Sequence, residues 1–321
     1  MSILIYAEYA EGKFKKVAFE LASYAKKVAE SLGTTVTAVT VNAGDVSELS
    51  KYGVDKVLKV NNDKLTGFTA KAYADVIKQA AQKENIKLIL LSSTTDSAYL
   101  SPLVAVALEA GFASNVVGLP VSTSPFQVKR TAFSNKAFMI TDINTAVKVL
   151  ALAKNSYGIF ESASTLTEED FNPTIGENDF AVKVQSVEKV TGKVSIADAD
   201  IVVSAGRGLK GPENWGMIEE LASVLGAATA CSKPVSDLGW RPHGEHVGQT
   251  GKPVAANLYI AIGISGAIQH IAGINSSKVK VVINSDPEAP FFKVADYGIV
   301  GDAFEIVPKL IEKLKAFKAH N

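Results

Sequence analysis

Apolar residues in the first part of the chain alternate between short runs and helical spacing. Runs typical of buried strands cover residues 3–7, 36–41, 56–60 and 86–91. Apolar positions three and four residues apart, typical of amphipathic helices, cover residues 14–32, 69–83 and 97–110. The first of these helices is expected to end at Gly33 and the last at Gly111. This alternation predicts a parallel sheet covered by helices.

The middle of the chain departs from this rhythm. Strands with polar breaks are predicted at 127–141 and 147–151, an acidic and weakly patterned stretch at 162–179, and an edge strand at 181–190. The alternation then returns, with strands predicted at 200–204, 258–264 and 280–284 and helices at 214–225 and 303–318. We therefore predict an α/β protein of two domains, residues 1–194 and 195–321, with a boundary near residues 190–198.

Composition narrows the classes of protein to consider. The 321 residues are enough for two domains with cores of their own. Lys plus Arg and Asp plus Glu number 33 each, so bulk charge favours neither nucleic acid nor an anionic membrane. Cys231 is the single cysteine, which excludes an internal disulfide and a cysteine-based zinc or iron–sulfur centre.

The chain shows no targeting or membrane-spanning pattern. Its N-terminus lacks the basic start of a signal peptide. The most apolar stretch, residues 258–268, contains small polar residues and is shorter than the roughly 20 residues that span a bilayer. We therefore expect a mature cytoplasmic protein without stable membrane insertion.

Residues that suggest chemistry are concentrated in the second domain. All four histidines lie there, at His243, His246, His270 and His320. The segment 204–211 follows a strand and precedes a helix, and its glycines let a backbone approach a phosphate. Arg207 within it is a candidate for paired hydrogen bonds to phosphate oxygens. A tight strand–helix turn with a surface arginine is the alternative interpretation.

Two further segments combine polar side chains with constrained turns. In residues 231–240, Ser232 offers a hydroxyl and Lys233 a cation next to a proline. This combination suits an anionic ligand, although a solvated side chain is the simpler interpretation of an isolated lysine. In residues 247–252, two glycines flank Gln249 and Thr250, which suits a loop around a polar ring edge. A plain turn is again the alternative.

The fourth segment, residues 264–270, runs from a strand into a predicted helix. Ser265 is expected to be the N-cap of that helix. The helix N-terminus carries partial positive charge, which favours an anion. Gln269 and His270 lie about one turn into the helix, near enough to contact the same ligand.

Neither a nucleophile nor a metal site is indicated. The sequence has no G-x-S-x-G elbow. His243 and His246 are three residues apart, but Glu245 is their only nearby carboxylate and the stretch is loop-like. We therefore predict a site without catalytic side chains and without a bound metal.

Four phrases of the second half resemble a known family. They are GRGLKGPENW, VGQTGK, LYIAIGISGAIQH and NSDPEAPFFKVADYGIVGD. Together they resemble the alpha (large) subunit of electron transfer flavoproteins, closely over the second domain and more loosely over the first. The resemblance implies a Rossmann-like first domain of the adenine nucleotide alpha hydrolase-like type. It also implies a second domain that binds FAD and has the deoxyhypusine synthase-like NAD/FAD-binding fold.

The resemblance also implies which residues hold FAD. Arg207 is expected near the flavin ring or its phosphates, and Ser232 and Lys233 against the isoalloxazine. The loop of Val247, Gly248, Gln249 and Thr250 wraps the ring edge and phosphates, with Thr250 near the flavin N5. The N1 and C2 carbonyl side is expected to face Ser265, Gly266, Ala267, Ile268, Gln269 and His270. Asn284 and Asp302 hold the adenosine end.

One position departs from the family pattern. The family has arginine where this chain has Lys233, which keeps the positive charge but loses the planar fork of donors. The redox tuning at this position is therefore open. Arg207, Lys233 and His270 together suit a cofactor that carries negative charge when it is reduced.

The function follows from the same resemblance. Such proteins accept electrons from dehydrogenases, typically acyl-CoA dehydrogenases, and pass them to a quinone oxidoreductase or another acceptor. They are heterodimers, and the beta subunit usually holds AMP. The first domain has no convincing site of its own, so we expect it to form the interface with the beta subunit.

Three alternatives stay open at this point. The first is a flavin-bifurcating family member or a specialised carrier for one CoA-ester pathway. The second is a stand-alone NAD-dependent enzyme on a similar fold. The third is a nucleotide-binding regulatory module, which leaves the polar loops of the second domain unexplained.

Overall fold

The computed structural model of the chain describes residues 2–133, 135–182, 184–186, 195, 196 and 199–320. The chain divides into two compact units. Unit 1 comprises Met1–Phe133 and Ala137–Glu188, and unit 2 comprises Ser134–Lys136 and Lys189–Asn321. The boundary predicted after residue 194 adjoins residues 187–194, which lie outside the described residues. The same holds for residues 183 and 187–190 of the predicted edge strand, and its other residues form no strand.

Unit 1 has twelve strands and three α-helices among its described residues. Its strands are β1 (Ser2–Tyr6), β2 (Tyr9–Ala10), β3 (Lys13–Phe14), β4 (Thr35–Val41), β5 (Lys56–Val60), β6 (Leu88–Ser92), β7 (Gly111–Val116), β8 (Ser122–Thr123), β9 (Phe126–Ala132), β10 (Ala137–Asp142), β11 (Lys148–Leu152) and β12 (Thr167–Asp170). Its helices are α1 (Lys16–Leu32), α2 (Ala70–Lys83) and α3 (Thr95–Ala107).

The main sheet of unit 1 confirms the Rossmann-like prediction. Its order is β10-β9-β7-β11-β6-β1-β4-β5-β12, with β8 paired to β9. The strands from β7 to β12 along this path run parallel, and β9 and β10 continue the sheet as an antiparallel hairpin. The central order β5-β4-β1-β6-β11 places the first strand in the middle and reverses direction there, as in doubly wound nucleotide-binding folds.

Alternate residues of each central strand pack on opposite faces of this sheet. In β1, Ile3 and Ile5 pack with α1 on one face, whereas Leu4 and Tyr6 pack with α2 and α3 on the other. Because both faces are covered, the strands appear in the sequence as nearly continuous apolar runs. This is why short apolar runs located most of the strands correctly.

Two features of unit 1 differ from the sequence predictions. The helix predicted to end at Gly111 ends at Ala107, with Leu108 as its C-cap, and Gly111 instead begins β7. A Cβ on Gly111 would lie 2.5 Å from Cγ2 of Ile143, so glycine is needed there for packing. Strand β12 was missed because it is acidic; its Glu169 lies 2.7 Å from both Lys56 and Lys83.

Unit 2 is a smaller α/β layer structure. Its strands are β13 (Ile201–Ala205), β14 (Ala228–Cys231), β15 (Leu258–Ile262), β16 (Val279–Asn284) and β17 (Tyr297–Val300). Its helices are α4 (Gly216–Leu225), α5 (Lys233–Asp237), α6 (Ile268–Ile274) and α7 (Ala303–His320). The sequence predicted β13, β15, β16, α4 and α7 but missed the four-residue strands β14 and β17.

All five strands of unit 2 are parallel, in the order β14-β13-β15-β16-β17. Helices α4 and α7 pack on one face, through Ile218 and Val307 among others. The other face is covered by α6 and by the chain before β15, with Tyr259 and Phe291 fully buried there. No helix among the described residues is long and apolar enough to cross a bilayer.

Candidate cofactor site

The predicted polar segments follow neighbouring strands of unit 2. Segment 204–211 leaves the end of β13, Ser232 directly follows β14, and segment 264–270 begins two residues after β15. Because these strands are parallel and adjacent, their carboxyl ends meet at one edge of the sheet. The topological switch point lies between β13 and β15, because the strand that follows β13 in the chain, β14, lies on one side of β13 and β15 lies on the other. Ligands of such sheets bind in the crevice at the switch point.

Glycines bring the two loops of this crevice into direct backbone contact. The Gly206 N–H donates to the Ile262 carbonyl at 2.9 Å, and the Gly208 N–H to the Gly263 carbonyl at 3.1 Å. A Cβ on Gly206 would collide with the Gly263 carbonyl oxygen. Gly266 has a φ of +89°, and a Cβ there would lie 2.6 Å from the Phe291 nitrogen. Side chains at these positions would fill the crevice, so the backbone itself forms its floor.

Arg207 lies in a 3₁₀ turn at the mouth of this crevice and is exposed. It forms no ion pair with any residue that the structure describes. Pro212 begins the next 3₁₀ turn, a position where the missing N–H of proline costs no hydrogen bond. The guanidinium is therefore free to meet an anion, although its exposure is equally that of an ordinary surface arginine.

Ser232 and Lys233 begin the short helix α5 after β14. Ser232 is buried, its N–H donates to the Ala205 carbonyl at 3.1 Å, and its hydroxyl makes no capping hydrogen bond. The Lys233 ammonium lies 2.7 and 2.9 Å from the two carboxylate oxygens of Asp237, one helical turn onward. This pairing lowers the pKa of Asp237. Lys233 is thus half of an exposed ion pair and not an isolated cation.

The loop of residues 247–250 precedes β15 in the chain and forms hydrogen bonds to both β14 and α6. The Val247 N–H donates to the Cys231 carbonyl at 3.0 Å, and the Gln249 N–H to the Gln269 carbonyl at 2.8 Å. Gly248 has a φ of +150°, which glycine tolerates. The side chains of Gln249 and Thr250 are exposed and form no hydrogen bond with a described residue. The structure therefore brings this loop next to segment 264–270, as a shared site requires.

The prediction that Ser265 is a helix N-cap is wrong. Helix α6 begins at Ile268 with Ala267 at the cap position, and no side chain caps it. The left-handed turn at Gly266 separates Ser265 from the helix, and the Ser265 carbonyl instead accepts the Phe291 N–H at 3.0 Å. Because α6 has only seven residues, its dipole is a weaker source of positive charge than the sequence analysis assumed.

His270 is the most constrained of the predicted site residues. It is buried, and its Nε2 lies 2.9 Å from the Tyr259 hydroxyl. Nδ1 makes no close hydrogen bond to a described residue, although the Val247 backbone interacts with the ring. Burial, and next the nearby His246, lower the pKa of His270 to about 4. The imidazole is therefore neutral near pH 7.

Asn284 and Asp302 lie at the ends of the adjacent strands β16 and β17. Asn284 Nδ2 donates to the Ile264 carbonyl at 3.1 Å, which ties β16 to the crevice loop. Asp302 caps α7 by accepting the Phe304 N–H at 2.9 Å. Lys210 approaches Asp302 to 3.9 Å and lies over the Phe304 ring. The two residues are thus neighbours on the far side of the same edge.

Sequence reasoning missed three residues of this region. Tyr259 was read only as a strand residue, and its bond to His270 crosses from strand to helix without a sequence signal. Asp237 was detectable, because it lies four residues after Lys233, the spacing of a helical ion pair. His246 was considered only as a metal ligand, but it is buried beside the 247–250 loop.

Other chemistries find little support in this unit. Among the described residues, no group of three or more His, Cys, Asp or Glu side chains is placed to hold a metal ion. Burial raises the pKa of the Cys231 thiol to about 12, so it is not a nucleophile at neutral pH. The crevice instead offers close backbone, free polar side chains and an unpaired buried His270 Nδ1. These features fit a flat polar ring with a phosphate tail, as in FAD.

The switch-point crevice and its glycine loops define an α/β protein that binds a nucleotide cofactor. The family model described as "Electron transfer flavoprotein domain" matches residues 3–174, and that described as "Electron transfer flavoprotein FAD-binding domain" matches residues 195–275. The chain belongs to the electron transfer flavoprotein family, as an alpha-subunit member that binds FAD and takes part in electron transfer.

Individual relatives agree with this membership. The electron transfer flavoprotein subunit alpha of Thermoanaerobacterium thermosaccharolyticum is 38% identical over 98% of each chain. That of Bacillus subtilis is 34% identical over 99% of each chain. The lactate dehydrogenase (NAD(+),ferredoxin) subunit LctC of Acetobacterium woodii is 31% identical over 98% of this chain and 77% of its own length.

Proposed function

We propose that this chain carries electrons on an FAD held at the carboxyl edge of β13, β14, β15 and β16. The observation that carries the proposal is the contact of two glycine loops at the switch point, beside the buried, unpaired Nδ1 of His270. FAD supplies the redox chemistry, because it accepts electrons singly or in pairs. The protein supplies binding, orientation and charge.

We assign the roles of the residues as follows. Arg207 and the loop of Val247, Gly248, Gln249 and Thr250 hold the phosphates and the ring edge. Ser232 and Lys233 face the flavin, and segment 265–270 contacts its pyrimidine side, where His270 Nδ1–H donates to a carbonyl. Asn284 and Asp302 hold the adenosine. The support is that all these residues lie at one edge of one sheet.

The His270 tautomer favours this role. Burial holds the pKa of the Tyr259 phenol far above neutrality, so its O–H is present, and we assign this O–H as the donor to His270 Nε2, 2.9 Å away. A neutral imidazole that accepts at Nε2 carries its own hydrogen on Nδ1. That leaves a buried N–H donor whose natural partner is a carbonyl or an electron-rich ring atom. Such a donor stabilises negative charge on a reduced flavin.

The electrons come from dehydrogenases, typically acyl-CoA dehydrogenases, and go to a quinone oxidoreductase or another acceptor. The chain acts in the cytoplasm as a carrier, without substrate chemistry of its own. The buried, inert Cys231 and the fully paired Arg241 and Glu245 support a site that does not process a substrate. An electron carrier needs none of the acid–base pairs of an enzyme.

Unit 1 forms the interface with an AMP-carrying beta subunit. Its own switch point, between β1 and β6, is filled by the buried Glu8. That carboxylate accepts from Lys15 at 2.9 Å and from Thr94 at 2.7 Å, so the crevice offers no open phosphate site. Helix α3 also exposes Tyr99, Leu103 and Val106 on one face. An outward apolar face on a helix of a carrier subunit is typical of a protein interface.

A second candidate function is a flavin-bifurcating or pathway-specific member of the family. The observation that favours it is the likeness to LctC, whose name contains both NAD(+) and ferredoxin. The two functions differ in flavin count. An ordinary carrier holds one FAD and one AMP per heterodimer, whereas a bifurcating one holds two flavins.

The test is to co-express the chain with its beta subunit and to measure bound flavin and AMP per heterodimer. We expect one FAD, released by denaturation, and reduction by an acyl-CoA dehydrogenase with its substrate. Two flavins would favour the bifurcating alternative. A colourless heterodimer that neither binds FAD nor accepts electrons would overturn both.

A further inference from the structure

His246 is a nearly fully buried histidine that follows the 3₁₀ turn His243–Glu245. It is 3% exposed, and its ring lies between two glycines of the loop that follows it. A Cβ on Gly248 would lie 3.6 Å from its Nε2, and one on Gly251 would lie 3.0 Å from its Cδ2. The side chain makes no hydrogen bond to any residue in the described part of the chain. The ring nitrogens of His246 are not among the fully buried, unpaired polar atoms of the described residues, so they keep some contact with water. A histidine of this kind can exchange a proton with solvent without breaking a hydrogen bond.

Charged and titratable groups surround this ring from every element that packs on it. Lys233 and Asp237 lie on α5, and His270 lies on α6. The preceding 3₁₀ turn contributes His243, whose ring centroid is 5.7 Å away. The same turn contains Glu245, whose carboxylate accepts a hydrogen bond from the Arg241 guanidinium at 2.8 Å.

These neighbours keep His246 neutral in the protein as it stands. Burial lowers the pKa of His246 first, His243 and Lys233 lower it further, and Asp237 opposes them. A negative charge placed in the adjoining crevice would raise the pKa of His246, because it favours the protonated imidazole. The ring is therefore poised to change its charge when the charge of the cofactor changes.

We propose that His246 takes up one proton from the solvent when the bound cofactor accepts its first electron. The inference rests on the proposed function, because it requires FAD beside the 247–250 loop. The electron comes from the donor dehydrogenase. The proton comes from hydronium or a buffer acid in the solvent, whose bond to that proton breaks as the N–H bond forms on the imidazole. Uptake of the proton neutralises the added charge inside the site.

The two nearest alternatives are less suited to this role. The Lys233 ammonium is already charged and is held by Asp237, so it has no proton to gain. In the tautomer assigned above, His270 accepts from the Tyr259 hydroxyl at Nε2, 2.9 Å away, and protonation there would break that bond. His246 has no hydrogen bond to lose. Among the described cations and histidines of the site, it is the group that gains a proton with the least rearrangement.

The experiment compares the FAD-loaded heterodimer of the natural chain with His246→Gln and with the matched control His320→Gln. His320 is an exposed histidine at the end of α7. The first-electron potential is titrated between pH 5.5 and 8.5, and protons taken up per electron are counted with an indicator dye. We measure how much the equilibrium constant for one-electron reduction changes per pH unit. In the natural chain and in the control, this change should be larger than in His246→Gln by a factor of up to about ten. A tenfold change corresponds to about 59 mV.

If the first-electron potential depends on pH equally in all three proteins, and the protons taken up per electron are also equal, the inference is overturned while the proposed function stays intact. Absence of bound FAD in the natural chain would overturn the proposed function itself. If His246→Gln does not fold, the ring of His246 is titrated by NMR in the oxidised and reduced natural heterodimer. A pKa of His246 that rises on reduction supports the proposal, and one that stays constant overturns it.

Discussion

The hydroxyl of Tyr259 lies 2.9 Å from Nε2 of His270, and both side chains are buried in unit 2. The strand β15 therefore fixes the ring of a residue on α6, eleven positions later in the chain. With the Tyr259 O–H assigned as the donor in this bond, His270 carries its hydrogen on Nδ1. The bond couples the stability of unit 2 to the protonation of the site.

We predict that unit 2 loses stability in acid because of His270. Its pKa in the folded chain is about 4, below the value of 6.5 for an unperturbed histidine. Between these values the unfolded chain binds more protons, so stability is fully present above pH 6.5 and is lost as the pH falls towards 4. At 1.36 kcal/mol per pKa unit, the loss is at most about 3 kcal/mol. Urea unfolding followed by the fluorescence of Trp215 and Trp240, both in unit 2, measures it.

The control for this prediction is His270→Gln. The variant should be less stable at pH 7, because the Tyr259 hydroxyl loses its acceptor. Its stability should then depend less on pH between 6.5 and 4. An unchanged pH dependence would mean that His270 is not the titrating group.

We predict that Gly266→Ala damages both folding and cofactor binding. The residue has a φ of +89°, and a Cβ would lie 2.6 Å from the Phe291 nitrogen. Strain of this kind costs about 1–3 kcal/mol, before the clash is relieved. The matched control is Gly216→Ala at the start of α4, where a Cβ meets nothing within 4 Å. Its stability should stay the same or rise by less than about 1 kcal/mol. Thermal unfolding and FAD titration of both variants provide the measurement.

Most of the architecture could be read from the sequence, because buried strands and amphipathic helices leave periodic patterns. The elements that escaped are those without such patterns. Strand β12 is acidic and held by lysines of neighbouring elements, and the exposed β17 has only four residues. Gly111 was mistaken for a helix stop, because its role depends on Ile143, which is distant in the chain.

The candidate site was predictable to a different degree. The glycine loops and the cluster of histidines marked the second domain correctly, because such turns are local in sequence. The partners of individual side chains were not predictable. Nothing in the sequence links Tyr259 to His270, or places the ring of His246 against Gly251. Those relations depend on how strands and loops converge at the edge of the sheet.

We predict that a charge on the outer face of α3 weakens binding of the beta subunit. Val106 is 79% exposed, so Val106→Asp should not disturb the core of unit 1. If Val106 lies in the interface, burial of the new carboxylate should weaken the heterodimer at least tenfold, or about 1.4 kcal/mol. The control Leu32→Asp changes an exposed apolar residue at the end of α1. Analytical ultracentrifugation of each pair gives the dissociation constants, and equal values would exclude this face of α3 from the interface.

The last prediction concerns the ion pair of Lys233 and Asp237. The ammonium lies 2.7 Å from one carboxylate oxygen, and both side chains are about half exposed. Viewed from the flavin, such a pair is nearly neutral, and water screens it further. Lys233→Ala leaves Asp237 uncompensated and should lower the first-electron potential, by less than about 59 mV or a tenfold change in equilibrium. Asp237→Asn frees the ammonium and should raise the potential by a similar amount.

The double variant completes the argument, because it removes both charges and should return close to the natural potential. The two single shifts should therefore be opposite in sign and should nearly cancel. Lys233→Arg should be tolerated, because it preserves the charge and adds a planar fork. The control Lys315→Ala breaks an equally exposed pair with Glu220, 2.6 Å away on the α4 and α7 surface. Potentials within error of each other for the natural chain and all five variants would show that Lys233 points into solvent and does not act on the cofactor.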